Sequence, residues 1–125
     1  METTIDMQTT IDQYLATWNE PDGAARAEQS RAIWVSDGRL VDPLLDATGP
    51  DAIAAAIGEL RDQMPGHSLT MTTVLDAHHD QARFGWTVNA PDGTVAVAGI
   101  DVVTFAPDGR MQSAVGFFGD VEAAA

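Results

Sequence analysis

The sequence predicts an α+β fold, with three N-terminal helices packed on a curved, mainly antiparallel sheet to form a cone that encloses a pocket. Up to Met64 most apolar residues recur at helical spacing, whereas from Ser68 onward they run or alternate as strands do. The tripeptide Pro-Asp-Gly occurs twice in the second half, at 91–93 and 107–109, each time between β-rich runs. Two such turns indicate consecutive antiparallel hairpins. Helices followed by antiparallel strands segregate to one face of the sheet. A curved sheet covered in this way leaves a conical cavity, a natural place for a small molecule.

Each element has its own signal. Met7, Ile11, Tyr14, Leu15 and Trp18 form one stripe of an amphipathic first helix. Asn19-Glu20-Pro21-Asp22-Gly23 breaks it, and Asp22 is placed to cap a second, alanine-rich helix running towards Trp34. Ser36-Asp37-Gly38 turns the chain into a short strand, Arg39 to Asp42, stopped by Pro43. A third helix starts near Thr48-Gly49-Pro50-Asp51, with proline in its first turn and an acid at the positive end of its dipole. Its stripe is Ile53, Ile57, Leu60 and Met64, and Pro65-Gly66 ends it. Four longer strands follow: Ser68 to Ala77, Ala82 to Ala90, Val95 to Phe105, and Met111 to Phe118, with a turn at His78–Gln81. The alanine-rich tail after Gly119 is expected to fray.

At 125 residues with 45% hydrophobic content, the chain reads as one folded domain spanning 1–125. No apolar run is long enough to span a bilayer, and the acidic start Met1–Asp6 lacks a signal-peptide pattern, so a cytoplasmic location is expected. There is no cysteine, which excludes disulfides and thiolate chemistry. The net charge of −13, with arginine as the only strong cation, repels phosphate backbones and anionic lipid. Nucleic acid and membrane are therefore not expected partners.

Asp101 is the leading functional candidate. It lies in the most apolar, β-branched run of the chain, Val95 to Phe105, which reads as a strand buried on both faces. A carboxylate there is costly unless it is paired, hydrogen-bonded or protonated. Alternation points it the same way as Val97, Gly99, Val103 and Phe105, and Gly99 leaves room beside it. Asp42 closes the short strand before Pro43, and Tyr14 lies on the buried stripe of the first helix. With no arginine or lysine nearby in sequence, a phenol and two carboxyls make a site for proton transfer rather than anion binding. The bland alternatives are a turn-forming Asp42 and a core Tyr14 with a satisfied hydroxyl. Trp18, Trp34, Phe84, Trp86, Phe117 and Phe118 could line a pocket or simply fill the core. His78 and His79 lack a third ligand at a recognisable spacing and read as a solvated turn, as does His67 before its strand. Alternation sets Arg83 opposite Phe84 and Trp86, on an exposed or interface face.

The segments Tyr14-Leu15-Ala16-Thr17-Trp18-Asn19, Leu40-Val41-Asp42-Pro43 and Ile100-Asp101-Val102-Val103-Thr104-Phe105 resemble the nuclear-transport-factor-2-like superfamily. Within it, the chain is similar to SnoaL-like proteins and ketosteroid isomerases. The resemblance places Asp42 at the catalytic base, and Tyr14 and Asp101 at the oxyanion hole. In ketosteroid isomerases that hole pairs a tyrosine with a carboxylic acid kept neutral by an apolar site. The resemblance implies a small cofactor-independent enzyme of isomerase or cyclase type, abstracting a proton alpha to a carbonyl of an apolar small molecule. It also implies a substrate-contacting set of Trp18, Trp34, Ile57, Phe84, Trp86, Val97, Gly99 and Phe118, no metal, and a homodimer. Trp34 and Ile57 stand where isomerases carry two supporting tyrosines, which favours the alternative of a non-catalytic module that binds a ligand or a partner.

Overall fold

A computed structural model describes residues 4–124; the extreme start, Met1 to Thr3, lies outside them. Helix α1 runs Thr4–Asn19, α2 Gly23–Ile33 and α3 Pro50–Gln63. The strands are β1 Trp34–Asp42, β2 Leu45–Thr48, β3 Ser68–Met71, β4 Asp76–His78, β5 Gln81–Asn89, β6 Val95–Phe105 and β7 Met111–Phe118. They form one sheet in the order β2-β1-β7-β6-β5-β3, with β4 also paired to β5. All pairings are antiparallel except β1 with β7, which is parallel. The architecture is the expected α+β arrangement of three helices and a curved, open sheet.

Local chemistry explains the element ends. The Asp22 carboxylate accepts the Ala25 N–H at 2.8 Å and caps α2, while Pro50 opens α3 after Gly49 at φ 91°. The two Pro-Asp-Gly turns are built alike. In each, glycine takes a positive φ, 89° at Gly93 and 91° at Gly109. The preceding aspartate accepts an N–H two residues on, from Thr94 and Arg110 respectively, each at 3.0 Å.

Four expectations need correction. The strand from Ser68 to Ala77 is two strands, because Thr72 and Thr73 leave the ladder to pair with Gly85. Thr72 donates its N–H to the Gly85 carbonyl, and the Gly85 N–H donates to Thr73 Oγ1, both at 2.8 Å. The second helix stops at Ile33, and the strand begins at Trp34 rather than Arg39, crossing an irregularity between Trp34 and Arg39. Beyond Pro43, where the sequence predicts only the end of a strand, the chain turns back as β2. Finally, β6 is buried on one face only. Val103 and Phe105 point into the core, whereas Ile100 on the other face is 41% exposed.

The core lies between the inner face of the sheet and the helices, around Ile11, Tyr14, Trp34, Leu40, Ile53, Ile57, Val103 and Met111. Arg26 is buried on α2, where its guanidinium donates to the Glu20 and Pro21 carbonyls and ties the α1–α2 loop down. Gly58 on α3 leaves the space it fills, since a Cβ there would stand 2.8 Å from Arg26 Nη1. No described helix is long and apolar enough to cross a membrane.

Candidate active site

Three adjacent strands bring the two acids together. Val41 on β1 pairs with Val115 on β7, and Gly116 on β7 pairs with Asp101 on β6. Asp42 and Asp101 therefore flank Gly116 on the inner face. A Cβ at Gly116 would stand 2.8 Å from Asp101 Oδ1 and 3.1 Å from Asp42 Cβ. Only a residue without a side chain lets the two carboxyls stand side by side.

Asp101 is 7% exposed and has two hydrogen-bonding neighbours. The Trp86 indole N–H donates to Oδ1 at 2.9 Å, and the Tyr14 hydroxyl faces Oδ2 at 3.4 Å, a long contact. Burial raises the Asp101 pKa to about 6; the Trp86 hydrogen bond opposes this, the neighbouring Asp42 charge adds to it, and the Tyr14 contact opposes it. The Tyr14 phenol is pushed well above its ordinary value by burial and then by the Asp101 charge, so it stays a neutral donor. Asp42 is held differently. Its Oδ1 accepts the backbone N–H groups of Leu44 at 2.8 Å and Leu45 at 3.1 Å in the β1–β2 turn.

These groups face a cavity of about 80 Å³. Tyr14, Trp18, Asp42, Trp86, Val97, Asp101 and Phe118 all line it. Trp34, Ile57, Phe84 and Gly99 do not. Trp34 and Ile57 are fully buried core, with Trp34 edge-on to Tyr14 at 6.0 Å between ring centroids. Phe84 is also core, pairing with Asp101 across the β5–β6 ladder. The room beside Gly99 is taken by the Trp86 indole, since a Cβ there would stand 2.5 Å from Trp86 Cζ2. Gly99 thus makes the Trp86–Asp101 hydrogen bond possible, and the space in front of Asp101 comes from Gly116.

The remaining wall comes from the ends of α1 and α3 and the start of β3, including Asn19, Leu60, Arg61, Met64, His67 and Leu69, with Leu44 at the open side. Asn19 clasps Leu69, giving Nδ2–H to its carbonyl at 2.9 Å and accepting its N–H at 2.8 Å. Arg61 Nη1 donates to the Trp18 carbonyl at 2.9 Å. The sequence places no cation near the site, and the fold corrects that by bringing Arg61 to the cavity. Leu60 and Met64 were visible as α3 stripe residues; nothing in the pattern marked Arg61 between them. The Trp18 indole N–H is buried and finds no acceptor among the described residues. No group of three or more His, Asp or Glu side chains among those residues is placed to hold a metal ion.

A family model described as the SnoaL-like domain matches residues 11–114. The chain belongs to the SnoaL-like family. Its fold matches a solved SnoaL-like family protein of Agrobacterium tumefaciens, provisionally named an isomerase. The two are 34% identical, with 93% of this chain and 99% of that one covered and a TM-score of 0.88. A protein of unknown function from Methylobium petroleophilum, described as having a cystatin-like fold, is 21% identical with a TM-score of 0.77, covering 97% of this chain and 80% of that one. A protein of Jannaschia, provisionally named a SnoaL-like polyketide cyclase, is 15% identical with a TM-score of 0.68, covering 89% and 85%. The last two likenesses show the fold alone. No protein of curated function matches the sequence. In this SnoaL-like domain the two acids and the tyrosine share one apolar cavity.

Proposed function

We propose that this SnoaL-like domain is a small cofactor-independent enzyme of isomerase or cyclase type, in which Asp42 removes a proton alpha to a carbonyl. The observation that carries this reading is the juxtaposition across Gly116 of two carboxyls in unequal environments. One is fixed by backbone N–H groups near the surface. The other is buried, and its pKa is raised to about 6. Unequal pairs of this kind divide base from acid.

In the proposed step, the free oxygen of Asp42 takes the alpha proton and the C–H electron pair becomes the enolate. The developing oxyanion accepts hydrogen bonds from the Tyr14 hydroxyl and from the proton on Asp101 Oδ2. Trp86 holds Oδ1, leaving Oδ2 to face Tyr14. Return of the proton to another carbon gives isomerisation; attack of the enolate carbon on a second carbonyl, whose oxygen then takes the proton back from Asp42, gives cyclisation. With a pKa of about 6, Asp101 is mostly ionised at pH 7 in the empty cavity. A substrate that displaces water favours its neutral form further. The kcat/KM should therefore fall as pH rises through about 6, where the free enzyme loses its acid.

A second reading, a binding module without turnover, draws on Trp34 and Ile57, both buried core where isomerases have tyrosines, so no second tyrosine supports the phenol. Proton exchange separates the two. Loss of alpha-proton signal from a panel of ketones in D2O, followed by NMR, should be faster with protein than with buffer. Ligands that raise the melting temperature while no ketone exchanges would favour the binding module.

The proposal includes one domain, a cytoplasmic location and a homodimer. The outer face of β6 and β7 supports the dimer, with Phe117 58% exposed beside Ile100 on the paired strand.

A further inference from the structure

We propose that Arg61 forms a recognition site for a carboxylate in the wall of the cavity, so that the substrate is a short oxo acid rather than a wholly apolar ketone. The inference rests on the carbonyl site proposed above at Tyr14 and Asp101, and adds the group at the substrate's other end.

Four of the six arginines have carboxylate partners: Arg31 with Asp51, Arg39 with Asp46, Arg83 with Asp76, and Arg110 with Asp108, all at 2.7 or 2.8 Å. Arg26 is wrapped by three hydrogen bonds to carbonyls. Arg61 is different. It is the one arginine lining the cavity, and among the described residues its guanidinium makes a single hydrogen bond, from Nη1 to Trp18 O. That bond satisfies one of the terminal carbonyls of α1, which accounts for one donor of five. Acidic residues outnumber arginines 19 to 6 in this chain. A half-buried arginine left without a carboxylate is thus not short of potential partners, and this one lines the cavity.

Charge and size fix the orientation. Asp42 and Asp101 repel an anion from their part of the cavity wall, whereas the planar guanidinium of Arg61 suits a carboxylate fork to fork. The cavity volume of about 80 Å³ is roughly half that of a cavity of about 150 Å³, which suffices for benzene. It holds a carbonyl and a few carbons. A short acyl chain with its ketone against Tyr14 and its carboxylate at Arg61 fits this space.

The test is NMR titration of 15N-labelled protein with 4-oxopentanoate and with its methyl ester. Wild type should bind the acid about tenfold or more tighter than the ester, the scale of a charge-assisted pair. Arg61→Gln, which keeps an N–H donor for Trp18 O, should abolish the preference by weakening the acid far more than the ester. Arg61→Lys should keep part of it. Equal affinities in wild type, or a preference intact in Arg61→Gln, overturns the proposal. Ester exchange in D2O without acid preference sinks Arg61 and spares the enolisation reading; acid preference without exchange does the reverse.

Discussion

At Asp101, burial and hydrogen bonding pull in opposite directions, and burial wins. The carboxyl ionises near 3.8 in a solvated chain and at about 6 in the folded protein. The folded state therefore holds a proton that the unfolded state loses in that window. The stability Asp101 contributes is fully present below about pH 4 and is lost as pH rises through about 6. The shift from 3.8 to about 6 is roughly two units, or about 3 kcal/mol at most. Asp101→Asn should consequently be more stable than wild type at pH 7, with the advantage vanishing near pH 4, as read by urea unfolding at both. The Trp86 indole N–H resonance, donated to Oδ1, should titrate with a midpoint near 6. Gly116→Ala would press a methyl group against Asp101 Oδ1, which the Trp86 bond holds in place. It should cost about 1–2 kcal/mol in unfolding assays and lower activity at least tenfold. Asp101 was legible in the sequence because a carboxylate in a β-branched run is conspicuous. Its bond to Trp86 was not, because it depends on the indole crossing to Gly99 on the neighbouring strand.

Among the elements, those marked by local chemistry were the legible ones. Asp22, Pro50 and the two Pro-Asp-Gly turns act within a few residues, so sequence spacing alone locates them. Asp22→Ala should cost about 1 kcal/mol in urea unfolding, as expected for removing a helix cap. The break between β3 and β4 was hidden because it depends on Gly85, more than ten residues away, which offers its N–H and C=O to Thr73 and Thr72. Strand β6 misled for a related reason. Its run of Val, Ala and Ile is apolar on both faces, but helices cover only one. The position of Arg61 was unreadable too, since it depends on the last turn of α3 meeting the end of α1.

For the molecule as a whole, helices, sheet and β1–β2 turn converge on one cavity while the opposite sheet face stays uncovered. That face presents Ile100 and Phe117 to solvent in a chain of net charge −13. Sedimentation at micromolar concentration should give a dimer, and Phe117→Glu should give a folded monomer with an unchanged cavity. A wild-type monomer would remove the dimer from the account. The cavity itself was foreseeable from helices preceding a meander, but its lining was only partly so. Trp34, Ile57 and Phe84 are as apolar as the true wall residues, and only packing separates core from cavity.

The central claim is that Asp42 is the base and Asp101 the acid. The most direct measurement is the rate of alpha-proton exchange in D2O, on one ketone or oxo acid that wild type turns over, for Asp42→Asn and Asp101→Asn side by side. Asp42→Asn should lose on the order of a hundredfold or more, while Asp101→Asn, which keeps a hydrogen-bond donor, should lose far less. Equal losses, or a larger loss for Asp101→Asn, would contradict the assignment.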